Sequence, residues 1–103
     1  MRLLLKASIP VEAGNEAAKS GKLAENLQAI LEEQKPEAVY FIAENGTRTA
    51  LVFLNVDSAA ELPKIAEPWF LAFNANIEVT PAFTPEEMPE VASAIEEAVK
   101  KYG

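Results

Sequence analysis

Residues 36–57, PEAVYFIAENGTRTALVFLNVD, read as a β-hairpin turning at Asn45-Gly46. An Asn-Gly pair between two alternating apolar runs favours a two-residue loop, because both residues tolerate positive φ. That loop pairs Glu44 with Thr47, Ala43 with Arg48, Ile42 with Thr49, Tyr40 with Leu51 and Val39 with Val52. Successive residues of a strand point to opposite sides, so the register sorts the hairpin into two faces. One carries Val39, Phe41, Ala43, Arg48, Ala50, Val52, Leu54 and Val56, mostly aliphatic, and suits packing beneath helices. The other carries Ala38, Tyr40, Ile42, Thr49, Leu51, Phe53 and Asn55, where aromatic and polar groups mix. A one-residue slip would exchange the faces, and a three-residue bulged loop would change the pairing.

On the N-terminal side, Leu3, Leu5, Ala7 and Ile9 alternate with Arg2, Leu4, Lys6 and Ser8, the period of a strand. Pro10 ends that strand, and Gly14-Asn15 is expected to turn the chain, with Asn15 as N-cap of a helix. Ala17, Leu23, Ala24, Leu27, Ile30 and Leu31 then recur at helical spacing as far as Gln34, with a bend expected at Gly21. Pro36 stops the helix.

Beyond the hairpin, Ser58-Ala59-Ala60-Glu61 has the capping-box pattern. Leu62, Ile65, Ala66, Trp69, Phe70 and Phe73 follow at helical spacing, with Pro63 and Pro68 expected to kink or divide the helix. Asn76 to Phe83 forms a fourth strand, with Ile77 and Val79 opposite Glu78 and Thr80. Thr84-Pro85-Glu86-Glu87 opens a last helix with the stripe Met88, Val91, Ala92, Ile95, Val99 and Tyr102. The predicted architecture is a single α+β domain over residues 1–103. It is a ferredoxin-like βαββαβ antiparallel sheet, order 4-1-3-2, plus a C-terminal helix.

Two helices cover only one face of such a sheet. Tyr40, Ile42, Leu51 and Phe53 then share the open one. Burying each is worth about 1.5–3 kcal/mol, so leaving all four wet forgoes roughly 6–12 kcal/mol, comparable with the stability of a whole domain. A second protomer, the last helix or a ligand between them is expected to cover them.

The chain contains no cysteine and no histidine. Thiol nucleophiles, disulfides, Ser-His-Asp triads and the usual zinc sites are thereby excluded. Catalysis, if any, falls to Glu, Asp57, Lys, Tyr, Arg or a bound cofactor. Sixteen acidic against nine basic residues leave a net charge of −7, which repels phosphate backbones and anionic membranes. No apolar run is long enough to span a bilayer, and residues 1–6 fall short of a signal-peptide core. A soluble cytoplasmic protein that binds neither nucleic acid nor membrane is expected.

The segments IPVEAGNEAAKSG (9–21), KPEAVYF (35–41), ENGTRTALVF (44–53) and IAEPWFLAFNANIEVTPAF (65–83) resemble a group of small bacterial proteins of unknown function in the dimeric α+β barrel superfamily. The shared residues are turn, cap and packing types, so the resemblance speaks to fold more than to activity. It implies a homodimer with two sheets face to face and a cavity in each half. Some members of the superfamily are isomerases or oxygenases that work without a cofactor, and others degrade haem. The missing histidine argues against histidine-dependent haem chemistry.

Lys6 and Arg2 should neighbour Glu78, on the side of Tyr40 and Thr49. These residues make either a small polar pocket, with cations holding an anion and Glu78 as base, or a cross-strand ion pair beside an interface. Trp69 either lines a cavity mouth or packs in the core. Glu12 with Asn15 meets a ligand or forms a cap, and Arg48 is an ordinary strand end. Glu86, Glu87 and Glu90 are explained by a capped helix start, with no metal expected. The ligand-binding candidates are therefore Lys6, Tyr40, Thr49, Trp69 and Glu78, and the interface candidates are Tyr40, Ile42, Leu51 and Phe53. The function expected is a homodimer that binds a small organic ligand between sheet and helices. The alternatives are a cofactor-independent enzyme and a purely structural dimer with a filled interior.

Overall fold

Asn45 and Gly46 both take positive φ, 53° and 76°, and close the hairpin of β2 (Ala38–Glu44) and β3 (Thr47–Asn55). Its register is the one the two-residue loop dictates, with Tyr40 opposite Leu51 and Val39 opposite Val52. The computed structural model describes residues Met1–Gly103. β1 (Arg2–Ser8) lies antiparallel to β3 and to β4 (Asn76–Ala82). The sheet order is β2-β3-β1-β4, which is 4-1-3-2 read from the other edge.

The first helical segment begins earlier than Asn15. α1 spans Val11–Lys19, with Pro10 just ahead of it at φ −53° and the Gly14 N–H donating to the Pro10 carbonyl at 2.8 Å. Proline has its φ already set for helix entry, so the turn starts there, and Gly14 and Asn15 become interior residues. The bend at Gly21 is present: its φ of 78° separates α1 from α2 (Lys22–Gln34). Lys35, also left-handed, and Pro36 end α2.

Ser58 and Glu61 form the capping box at a 3-10 turn (Ala59–Glu61), the Glu61 carboxylate accepting from the Ser58 N–H at 3.1 Å and from the Asp57 N–H. α3 (Leu62–Phe73) follows as one element and is not divided at its prolines. Pro63 falls in the first turn, where no intrahelical donor is lost, and interior Pro68 removes only one. The change of helical geometry comes instead at Glu61, where the 3-10 turn gives way to α3.

The core lies between the sheet and α2 and α3. Leu3, Leu5 and Ala7 of β1 and Ala50, Val52 and Leu54 of β3 meet Ile30, Ile65, Trp69 and Phe73. The helices cover β1 and β3 but leave the tip of β2 bare, so Phe41, on the aliphatic face, is 58 % exposed. A second capped 3-10 turn (Pro85–Glu87) leads into α4 (Met88–Tyr102), none of whose residues is buried. The molecule measures 58 × 28 × 21 Å, and its radius of gyration of 17.1 Å exceeds the roughly 13 Å of a compact 100-residue domain. No helix is long and apolar enough to cross a membrane.

Candidate functional site

The sheet presents two surfaces with the makings of a site, one on each face. On the open face, direct antiparallel partners share a side, so β1, β3 and β2 bring together Leu4, Phe53 and Ala38 in one row and Lys6, Leu51 and Tyr40 in the next. Tyr40 is 61 % and Ile42 41 % exposed, while Leu4, Leu51 and Phe53 are half-buried. Charged braces hold both ends of this apolar centre. At one end the Arg2 guanidinium donates two parallel hydrogen bonds to Glu37, at 2.7 and 2.8 Å, a third to Glu87 at 3.3 Å, and Asn55 donates to Glu37. At the other end the Lys6 ammonium lies 2.5 Å from Glu44 and 3.5 Å from Glu78, spanning the sheet from β2 to β4. An apolar centre within a polar rim is the usual anatomy of a protein interface.

The braces shift ionisation. The hydrogen bond from Arg2 holds the Glu37 carboxyl below the ordinary carboxylate range, against a smaller opposing effect of desolvation. Glu61 is held down likewise, by the Asp57 and then the Ser58 backbone N–H groups. The hydrogen bond to Glu44 raises the Lys6 ammonium, with Glu78 adding to it. A carboxyl whose folded-state pKa is depressed adds stability above its unfolded value, and that stability is lost as pH falls through the folded value. Acid titration should therefore weaken the fold through Glu37 and Glu61. Glu61→Gln keeps an acceptor but no charge, so its urea-unfolding stability should fall less between about pH 6 and about pH 3 than that of the parent chain. An equal fall in both would remove the cap from the account.

On the helix face, the bare tip of β2 leaves a cavity of about 310 Å³ between the hairpin and α2, lined chiefly by Ile9, Leu23, Leu27, Phe41, Ala50 and Arg48. This is near the lower end of the range for small-molecule sites. Arg48 is the one charged residue lining it, and no carboxylate of the chain pairs with its guanidinium. The Arg48 side chain lies across α1 at Gly14, where a Cβ would stand 2.6 Å from Arg48 Nη1. Glycine inside a helix costs about 0.5–1 kcal/mol relative to alanine. Here it leaves room for the guanidinium.

The residues singled out from the sequence separate into different places. Lys6, Tyr40 and Glu78 share one row of the open face, Tyr40 joined through Leu51. Arg2 does not reach Glu78; it stands opposite Ala82 and pairs with Glu37 and Glu87. Thr49 is buried, with its hydroxyl donating to the Thr47 carbonyl at 2.9 Å, and it touches the cavity edge. Trp69 is wholly buried, tilted 41° to Phe73 at 6.0 Å, and its indole N–H points to Gln34 at 3.4 Å. Asn15 and Glu12 lie in α1 beside solvent. Glu87 accepts from the Thr84 N–H and hydroxyl and from Arg2, and the acidic residues at this turn make no metal-binding group.

From the sequence Arg48 is expected as an ordinary strand end; its seat on Gly14 appears only in the fold. The residues are 34 positions apart, and only a glycine in an otherwise good helical run hints at the approach. Compared with known proteins, the chain matches no family model and no curated protein.

Proposed function

We propose that the chain is a homodimeric small-molecule-binding module of the dimeric α+β barrel kind, whose ligand is an apolar anion held between the hairpin and α2. The observation that carries this reading is the cavity of about 310 Å³, lined by apolar residues together with Thr49 and Arg48, whose guanidinium pairs with no carboxylate of the chain. An apolar tail fits against Leu23, Leu27 and Phe41, and a carboxylate fits the planar fork of Arg48. The dimer half of the reading is supported by the apolar centre and charged rim of the open face. Lys6 is not the anion anchor, because Glu44 and Glu78 already engage it.

Octanoate and octan-1-ol test the ligand. In ¹⁵N spectra, octanoate should shift the amides of Leu23, Leu27 and Phe41 to Ala43. A charge-assisted hydrogen bond is worth about 1.5–3 kcal/mol, so Arg48→Gln should weaken octanoate on the order of tenfold or more and leave octanol unchanged. Binding of octanoate with equal affinity to both chains, or at neither cavity, would overturn the proposal.

A further inference from the structure

The helix α4 is amphipathic, and none of its residues is buried against the rest of the chain. Met88, Ile95, Val99 and Tyr102 lie along one stripe and are all at least half exposed, Tyr102 by 79 %, while Ser93 and Glu97 lie opposite. A helix of 15 residues is about 22 Å long and marginal in water without tertiary packing. Its course is set where it begins. Thr84 and Glu87 form a capping box, Pro85 and Pro89 stiffen the entry, and Arg2 Nη1 reaches Glu87. Swinging α4 back over its own sheet would move Glu87 and give up its contact with Arg2. The 58 Å length of the molecule records the departure.

The same chain carries a bare apolar surface of matching character, the open sheet face. We propose that α4 is an exchanged arm: it lies on the open face of a second copy, over Tyr40 and Ile42, and receives that copy's α4 in return. The arrangement rests on the homodimer reading above and adds to it where the last helix goes. Reciprocal exchange about a two-fold axis is self-complementary and closes, so it stops at two copies. The area suffices. The large apolar side chains of the stripe and the open face, several of them half-buried in the protomer, still expose together on the order of 800 Å² per copy. A standard stable interface takes roughly 800 Å² per partner. Sheet packing alone would cover the centre around Leu4 and Phe53; the arm accounts for the exposed edge at β2 and for its own stripe.

The absence of cysteine makes the test direct. A full-length Ser93→Cys chain carries a nitroxide on the face away from the stripe and is mixed to equilibrium with ¹⁵N-labelled parent chain. The amides of Tyr40 to Ile42 in the labelled copy should lose most of their intensity and regain it when the nitroxide is reduced. Val99→Asp in the full chain should raise the dimer dissociation constant on the order of tenfold or more with an unchanged circular dichroism spectrum. A dimer by sedimentation that shows no such broadening, or broadening only on the helix side of the sheet, overturns the arm and leaves the dimer standing. A monomer by sedimentation overturns both.

Discussion

Trp69→Ala should lose about 3–5 kcal/mol of stability, the range for deleting a large aromatic from a packed core. Trp69 is wholly buried among Leu5, Val52 and Phe73, the other fully enclosed large side chains. Its removal opens a cavity beside the sheet that α3 cannot close without moving Ile65 and Phe73, both of which pack from the same helix. The indole also answers Gln34, whose amide donates to the Ile65 carbonyl at 2.8 Å and so ties the end of α2 to α3. Against a total of about 5–15 kcal/mol for a domain, the variant should be only marginally folded near 37 °C. Urea unfolding followed by circular dichroism measures the difference. Trp69→Phe should recover much of it, because most of the apolar volume returns while the hydrogen bond does not. A loss below about 1 kcal/mol for the alanine variant would mean that the ring is not a keystone of the core.

Under the proposed dimer, Phe53→Asp should abolish association while leaving the protomer folded. Phe53 sits in the middle row of the open face, between Leu4 and Ala38, and is only half-buried in the single chain. In the protomer an aspartate there keeps its water. In an assembled interface it becomes an unpaired charge in an apolar centre, which costs several kcal/mol and corresponds to more than about a hundredfold in dissociation constant. Leu71→Asp is the matched control: Leu71 is 82 % exposed but lies on α3, on the helix side. Sedimentation equilibrium should find a dimer for Leu71→Asp and a monomer for Phe53→Asp. A dimer in both would place the contact elsewhere, and the apolar centre of the open face would need another cover.

The hairpin was readable because everything that sets it is local. Asn45-Gly46 supplies the two positive φ angles, and the period of two then assigns Val52 to the core and Phe53 to the opposite face. The bend at Gly21 and the Ser58 and Thr84 capping boxes follow for the same reason, each being settled within a few residues. The start of α1 is not legible in the sequence because Gly14-Asn15 looks like a turn in isolation. Pro10 already begins the helix, and Gly14 serves a residue 34 positions away. Whether Pro63 kinks or divides the helix is not legible either, because its distance from the helix start, which decides whether its missing N–H matters, depends on where the 3-10 turn ends.

The strands, their register and the apolar stripe of α4 are written in the residues alone, since backbone propensity and side-chain periodicity are short-range. Composition also excludes thiol and imidazole chemistry. That Trp69 is sealed in the core, that Lys6 is already spanned by two carboxylates, and that Arg48 stands unpaired at an apolar cavity follows from the folded chain. The same holds for α4, which leaves the sheet instead of covering it. Each of these depends on which distant surfaces meet, and burial and charge pairing are properties of the assembled chain, not of any window along it.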